Sequence, residues 1–212
     1  MTATQVSARE LFQAAYENRY TWDANFPGYT AAVRYTSGDA EYTGQVKVGA
    51  DLKAEVTGVA DESATKAIHN QLWETSIHRV RRGFGQVHGE NTFRYGDKDE
   101  TGAIEIHMGG KSEGDRYKLR NNEVCHVHRH IHGVVVTIDT FTSHQTGAGY
   151  LSHTYDSVYH DPKTGEQKGG KSVFEDDYTK VGDYEILSRR LIKTEGVEQP
   201  SEFVFSEIAL LG

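Results

Sequence analysis

The sequence predicts a mainly β protein of the α+β class, a curled antiparallel sheet or half-barrel of about ten strands with two helices on its concave side. Short stretches rich in β-branched and aromatic residues recur along the chain, separated by Gly, Asn and Asp. Only two segments have helical periodicity, and both are amphipathic. Short connections imply antiparallel pairing, and so wide a sheet must curl or close, so a closed barrel is the alternative architecture.

Length and charge limit the classes of function. A chain of 212 residues can bury one sizeable core, and we expect a single domain over residues 1–212. The 31 acidic residues outnumber the 23 basic ones, and this excess argues against a nucleic-acid partner. The one cysteine excludes an internal disulfide framework. Residues 1–10 lack the pattern of a signal peptide and no stretch resembles a membrane span, so we expect a cytoplasmic protein.

The first part of the chain is predicted to alternate helices and a meander. Ser7 and Glu10 have the spacing of a capping box, which predicts a helix over residues 7–19. Three short strands follow, at residues 29–35, 41–48 and 52–59. Asp61 can cap a second helix that ends near Gly83. Its first apolar stripe is Ala64, Ile68, Leu72 and Thr75, and its second is Trp73, Ile77 and Val80.

The second part of the chain is predicted to consist of strands in hairpin order. Two segments, residues 84–88 and 92–95, have a partial strand pattern. Seven have a fuller one: residues 103–108, 116–120, 124–143, 150–159, 173–180, 184–193 and 202–210. The glycine-rich residues 109–114 lack the order of a phosphate-binding loop, so they predict a turn, and we expect no nucleotide cofactor.

The predicted site is organised around residues 124–143, where four histidines occur at every second position. They are His126, His128, His130 and His132. Period two is the period of a strand, so an extended segment places all four imidazoles on one face. That even-numbered face continues into the apolar Val134, Val136 and Ile138, which predicts that the histidines lead into an interior surface.

The turn before this segment predicts what lies beside the histidines. Residues 121–122, Asn-Asn, suit a two-residue hairpin turn. With that turn Tyr117 faces His126, and Asp115 faces His128. A phenol and a carboxylate are therefore expected on the histidine face.

Alternating histidines suggest a transition-metal site, because imidazole is the commonest protein ligand of such ions. At about 3.3 Å per residue, strand positions four apart are ~13 Å apart, so only two neighbouring histidines can share one ion. The predicted metal-ligating residues are His126, His128, His130, His132, Asp115, His153 and His160. The predicted pocket-lining residues are Tyr117, Trp73 and Tyr155. We expect zinc or copper in preference to iron or nickel.

Two other interpretations of the histidines remain open. The row can be a metal-free polar pocket, hydrogen-bonded to Tyr, Asp and water. It can also be an exposed face with only adventitious affinity for metals. Cys125 alternates to the opposite face, which predicts a packed thiol rather than a nucleophile paired with histidine.

Several segments resemble an uncharacterised family of cyanobacteria and photosynthetic eukaryotes. They are residues 6–12, 14–23, 26–29 and 174–176, and the closing Phe203-x-Phe205-Ser206. The resemblance covers essentially the whole chain, and it implies a domain of unknown function with no catalytic residues to transfer. The order of helices and strands is also similar to that of the lipoprotein-carrier half-barrel superfamily. That superfamily includes exported lipid carriers and a violacein-pathway enzyme, but residues 1–10 do not have the signal-peptide pattern expected of the exported carriers.

Three functions are consistent with the sequence. The first is a small-molecule-binding half-barrel with a histidine-lined pocket, acting as a metal-assisted or acid–base enzyme. The alternative is a non-catalytic carrier or sensor of an apolar small molecule, in which the histidines fix the polar end. The third is an interaction or assembly protein in photosynthetic cells. No nucleophile motif or HExxH pattern distinguishes the first two, and the sequence does not define an oligomeric state.

Overall fold

The computed structural model describes residues 6–212 and shows a mainly β fold, a twelve-stranded antiparallel sheet with three helices. The helices are α1 (Ala8–Glu17), α2 (Glu62–Arg79) and α3 (Phe84–His88). The strands are β1 (Gly28–Ser37), β2 (Ala40–Gly49), β3 (Ala54–Thr57), β4 (Asn91–Lys98), β5 (Ile104–Gly110), β6 (Arg116–Arg120), β7 (Glu123–Ile131), β8 (Val134–Gln145), β9 (Tyr150–His160), β10 (Gln167–Val181), β11 (Tyr184–Thr194) and β12 (Ser201–Leu210). No helix in this part of the chain is long and apolar enough to cross a membrane.

The predicted mainly β class with an antiparallel sheet is confirmed, but the predicted ten strands and two helices are fewer than the twelve strands and three helices of the described residues. The half-barrel curl with helices on its concave side stays a prediction. Most predicted strands are present, although β10 begins at Gln167 rather than at position 173. The long strand predicted over residues 124–143 is two strands, and residues 84–88 form a helix. The prediction that there is no signal peptide used residues 1–10, and residues 1–5 lie outside the described residues.

The chain divides into two compact units, and the boundary falls within β10. The first unit comprises Met1–Tyr20 and Arg82–Ser172. Its strand order is β4-β5-β6-β7-β8-β9, followed by residues 167–172 of β10. The second unit comprises Thr21–Arg81 and Val173–Gly212, with the order β3-β2-β1-β12-β11 followed by residues 173–181 of β10. A single domain over residues 1–212 stays a prediction.

In the first unit, α1 begins where the capping-box pattern predicts. The backbone N–H of Glu10 donates to Ser7 Oγ at 3.2 Å, and the N–H of Ser7 donates to the Glu10 carboxylate at 2.9 Å. Phe12 projects from α1 into the core, where its ring centroid lies 4.8 Å from that of Tyr117 on β6. Ile106 of β5 is buried in the same cluster. One face of the first unit's sheet is therefore the core face, covered by α1.

The partial strand pattern of residues 84–88 predicts the wrong element. These residues form α3, with Gly83 as the residue before its first turn. Phe84 and His88 are four residues apart and so lie on one side of the helix. Their ring centroids lie 6.1 Å and 5.2 Å from that of Phe12. Packing against α1, which a local pattern does not contain, favours the helix over the strand.

In the second unit, α2 buries one apolar stripe. The Asp61 carboxylate accepts the N–H of Ala64 at 2.7 Å and caps the helix as predicted. The predicted stripe of Ala64, Ile68, Leu72 and Thr75 is buried. The second predicted stripe is buried only in part, because Trp73 is 56% exposed whereas Ile77 and Val80 are half-buried. Trp73 therefore lies on the solvent side of α2 and not within the second unit's core.

A buried ion pair in the second unit anchors α2. The Arg190 guanidinium on β11 donates to both carboxylate oxygens of Asp176 on β10, at 2.8 and 2.6 Å. It also donates to Gln71 Oε1 of α2 at 2.9 Å. Buried charges are tolerated when they are paired and hydrogen-bonded, which is the arrangement here.

Candidate functional site

The histidine segment is a hairpin rather than one long strand. β7 and β8 pair antiparallel, and Ile131 lies opposite Val134. The two residues between them, His132 and Gly133, have φ angles of 49° and 79°. Two consecutive positive φ values form the turn that suits the twist of a hairpin. His132 therefore lies in the turn, and the predicted continuous strand over residues 124–143 is wrong.

The turn reverses the relation between the histidines and the residues that follow. His130 lies opposite Val135, and His128 lies opposite Thr137. Cross-strand partners share a face, so the odd-numbered residues of β8 lie beside the histidines. The predicted continuation of the histidine face into the even-numbered Val134 and Val136 is therefore wrong.

The turn that leads into β7 forms as predicted. Asn121 and Asn122 have φ angles of 54° and 59°, and Arg120 lies opposite Glu123. Asparagine tolerates this left-handed conformation better than most residues, which is why the Asn-Asn pair is a usable turn signal.

A bulge in β7 then changes the register with β6. Leu119 lies opposite Val124, but Lys118 lies opposite His126, so Cys125 is the extra residue. The Cys125 side chain is half-buried, its Sγ lies 3.4 Å from the Lys118 carbonyl oxygen, and burial raises the pKa of its thiol. The extra residue shifts every later pair by one position.

Tyr117 consequently lies on the other face from the histidines. It pairs with Val127 instead of His126, and its ring belongs to the core beneath α1. Side chains alternate along β6, so Arg116 and Lys118 project to the opposite face. The histidines of β7 lie on this polar face, and the prediction that Tyr117 faces them is wrong.

Two of the histidines are oriented by side chains of β8. His126 Nδ1 lies 2.6 Å from Asp139 Oδ1, and His128 Nδ1 lies 3.0 Å from Thr137 Oγ1. Within residues 6–212, no hydrogen bond reaches the Nε2 atom of either ring. Nε2 is therefore the nitrogen that each ring offers to a ligand.

Asp115 lies in the turn before β6 and contacts His130 instead of His128. The buried carboxylate accepts the backbone N–H of His130 at 2.9 Å, and its Oδ1 lies 3.2 Å from His130 Nδ1. Arg129 Nε is 3.6 Å from its Oδ2. The residue opposite His128 is Arg116, so the predicted pairing of Asp115 with His128 is wrong.

The surroundings of His128 favour its neutral form. Burial lowers the pKa of its imidazole, and the nearby Arg116, His130 and His126 lower it further, while Asp115 opposes them. A neutral imidazole is the form that binds a metal or accepts a hydrogen bond.

The histidine face does not gather three ligands at one point. The ring centroids of His128 and His130 are 6.0 Å apart. In the described part of the first unit, no three His, Cys, Asp or Glu side chains bring ligand atoms within 4.8 Å of one another. His160 lies at the end of β9, where Val135 separates it from His130.

The other predicted site residues are dispersed. His153 lies on β9 near His144, with ring centroids 4.4 Å apart. Tyr155 is half-buried on β9 opposite Thr140. Trp73 is exposed on α2 in the second unit. Sequence reasoning missed His144 because the predicted strand of residues 124–143 ends one position before it, whereas β8 extends to Gln145.

A cavity of about 290 Å³ lies beside α1 in the first unit. Its apolar lining comes from Leu11 and Ala15 of α1, Ile104 of β5 and Leu119 of β6. Its remaining lining residues are Thr101, Gly102, Arg120, Asn121 and Asn122. Leu11 and Ala15 are four residues apart on the predicted first helix and so share a face, but the sequence contains no signal for the loops that meet them.

One residue that lines the cavity carries a charge. Arg120 is its one ionisable lining residue. Among the described residues, the Arg120 guanidinium has no ion pair or hydrogen bond. The carboxylate of Glu123, the residue opposite Arg120, instead accepts hydrogen bonds from Ser143 Oγ at 2.7 Å and from Gln145 Nε2 at 2.5 Å. The Arg120 charge is thus available to an anion beside the cavity.

Comparisons with known proteins place the chain in a family without assigning a role. The model of DUF3386, a family of proteins of unknown function, matches residues 3–211, which confirms the resemblance to an uncharacterised family. No curated protein matches the sequence. The crystal structure of a LolA superfamily protein from Nitrosomonas europaea aligns with 98% of this chain and 95% of its own, at 10% identity and a TM-score of 0.37. At this TM-score the likeness carries no argument about ligand or activity.

Proposed function

We propose that this chain, which belongs to the DUF3386 family of unknown function, is a non-catalytic carrier or sensor of a small amphipathic molecule, which its first unit binds. The ligand occupies the cavity beside α1. One observation supports this most directly: an apolar lining from α1, β5 and β6 meets a cationic rim at Arg120.

The size of the cavity limits the ligand. Its volume of about 290 Å³ is close to the lower end of ligand pockets, ~300–1,000 Å³. A short acyl chain or a single aromatic ring therefore fits better than a long lipid. Leu11, Ala15, Ile104 and Leu119 would contact the apolar part.

The rim selects the polar end of the ligand. Arg120 offers a guanidinium that has no ionic partner among the described residues. Guanidinium binds a carboxylate through two parallel hydrogen bonds, which gives geometric specificity. A small organic acid with an apolar tail is the ligand class that this lining favours.

The lining favours binding over chemical conversion. Acid–base catalysis requires a group that exchanges a proton near neutral pH. Arginine remains protonated in proteins, and the other lining residues have no ionisable side chain. The cavity therefore supplies affinity and orientation without a general acid or base.

The test compares octanoate with 1-octanol as probes, by isothermal titration calorimetry of tag-free protein. We expect octanoate to bind more tightly than 1-octanol. Arg120→Gln should remove this preference and leave the weaker binding of 1-octanol unchanged. Ala15→Leu should abolish both, because Ala15 is fully buried beside the cavity and the added atoms occupy it.

Ala14→Leu is the matched control, since Ala14 is the neighbouring residue of α1 but is exposed. It should bind both probes as the wild type does. Unchanged binding of octanoate by Ala15→Leu, with an unchanged unfolding midpoint, would place the probe elsewhere and refute the proposal.

A transition metal on the histidine face, zinc or copper, is the second candidate. The supporting observation is that the Nδ1 atoms of His126 and His128 are held by Asp139 and Thr137. Metal-ligating histidines characteristically engage their second nitrogen in this way. Zn²⁺ titration of His128→Gln should then show weaker binding than the wild type, and equal binding would contradict this candidate.

A further inference from the structure

We propose that His144 and His153 form a site for a divalent transition metal, Zn²⁺ or Cu²⁺, on the β8–β9 hairpin of the first unit. The site is distinct from the cavity beside α1 and from the histidine face of β7. Its basis is the approach of two imidazoles from neighbouring strands, whose ring centroids lie 4.4 Å apart. A ligand nitrogen of each ring lies within 4.8 Å of one of the other.

A bulge in β9 explains why the two rings meet. Thr142 lies opposite Thr154, and Ser143 lies opposite Ser152, so His153 is the extra residue of β9. A bulged residue leaves the regular alternation of faces, and bulges often re-aim a side chain near functional sites. Here the bulge brings the ring of His153 against that of His144.

The spacing suits a shared ion better than the spacing on β7. Zinc–nitrogen bonds of ~2.0–2.1 Å in tetrahedral geometry place two ligating nitrogens ~3.3 Å apart. One ligand nitrogen of His144 and one of His153 lie within 4.8 Å of each other, so they need to approach by at most about 1.5 Å to reach this separation. The rings of His128 and His130, at 6.0 Å between centroids, start farther apart.

The local structure holds both strands in place around the pair. Thr142 Oγ1 and Thr154 Oγ1 form a hydrogen bond of 2.6 Å across the two strands. The loop beyond His144 is closed by the backbone N–H of Thr146, which donates to the Gly149 carbonyl at 3.0 Å. Ligands on rigid elements lose little conformational entropy on binding a metal. Both histidines are half-buried, so water can complete the coordination.

The experiment uses the full chain, without a tag and purified without metal resin. Zn²⁺ binding is measured by isothermal titration calorimetry for the wild type, His144→Gln and His153→Gln. Each variant should bind at least about 10-fold more weakly, since loss of an outer partner of a ligand alone costs about that much. His107→Gln is the matched control, a half-buried histidine on β5 that lies 3.1 Å from Glu105, and it should bind like the wild type.

A second measurement locates the ion directly. Sub-stoichiometric Cu²⁺ should broaden the ring ¹H–¹⁵N signals of His144 and His153 first, with the signals assigned from the single variants. Earlier broadening of the His126 and His128 signals would overturn the proposal and support the histidine face instead.

Other outcomes are equally decisive. Absence of Zn²⁺ binding to the wild type, or wild-type affinity in both His144→Gln and His153→Gln, would overturn the proposal. Unfolding midpoints separate loss of a ligand from loss of the fold. Octanoate binding should be unchanged in both variants, so failure of this site and failure of the proposed function are distinguishable.

Discussion

Removing Asp176 from the second unit should cause a large loss of stability. Asp176 is 1% exposed and Arg190 is 4% exposed, so the substitution Asp176→Ala leaves a guanidinium buried without its bidentate partner. Breaking a buried ion pair from one side costs about 3–5 kcal/mol. Glu74, with a carboxylate oxygen 3.6 Å from Arg190 Nη1, compensates in part, so we expect a loss of about 3 kcal/mol.

The neighbouring Glu175 provides a matched control on the same strand. It pairs with Arg189 at 2.8 Å, but the two side chains are 44% and 31% exposed, and Arg189 also holds Glu202 at 2.7 Å. Exposed pairs contribute about 0.2–1 kcal/mol, so Glu175→Ala should cost less than about 1 kcal/mol. The contrast between adjacent residues isolates burial as the cause.

Urea unfolding followed by tryptophan fluorescence measures both variants. The chain has 2 tryptophans, Trp22 and Trp73, and both belong to the second unit. Equal, small losses for Asp176→Ala and Glu175→Ala would refute the reasoning, because Arg190 would then be solvated without its partner. If Asp176→Ala does not fold, Asp176→Asn tests the same point with an expected loss of about 1.5–3 kcal/mol.

Two further predictions concern the first unit, and urea unfolding followed by circular dichroism checks both. Burial, followed by the charges of Arg129 and Arg19, lowers the pKa of His88 to about 4. Because unfolded His88 takes up its proton near 6.5, the free energy of unfolding should fall by up to about 3 kcal/mol as the pH drops from about 6.5 to about 4. His88→Gln should lose this part of the pH dependence, and parallel losses in both proteins would contradict the prediction. His132 has a φ of 49° in the β7–β8 turn, a conformation that asparagine tolerates better than histidine. His132→Asn should therefore raise the free energy of unfolding by up to about 1 kcal/mol and leave Zn²⁺ binding unchanged. A clear loss of stability would contradict the place of His132 in the turn.

Features set by neighbouring residues were predictable from the sequence. The capping box at Ser7 and the Asn121–Asn122 turn depend on hydrogen bonds and φ values within a few positions. The buried stripe of α2 was predictable for the same reason, since helical period alone defines it. The exposure of Trp73 was not, because it depends on which side of the helix finds a partner.

The register of the histidines required information that the alternation does not contain. A two-residue period describes equally well one long strand or two strands separated by a two-residue turn, and His132-Gly133 is a weaker turn signal than Asn-Gly. The bulge at Cys125 is likewise invisible to periodicity, because an extra residue changes the pairing without changing the residue types. These two events separate Tyr117 and Asp115 from the positions predicted for them.

The two proposed sites both lie where the regular pattern of the strands is interrupted. The cavity forms where α1 meets the loops after β4 and β6, and the His144–His153 pair forms where a bulge interrupts β9. Regular strands place side chains at fixed spacings of about 6.6 Å on one face, which is wider than the 4.4 Å between the ring centroids of His144 and His153. Convergence therefore requires a departure from the regular ladder, and bulges and helix–loop junctions are the departures that this chain contains. Variants that test the function of this chain should therefore be placed first at those irregular positions, although the regular strand β7 has the more conspicuous sequence pattern.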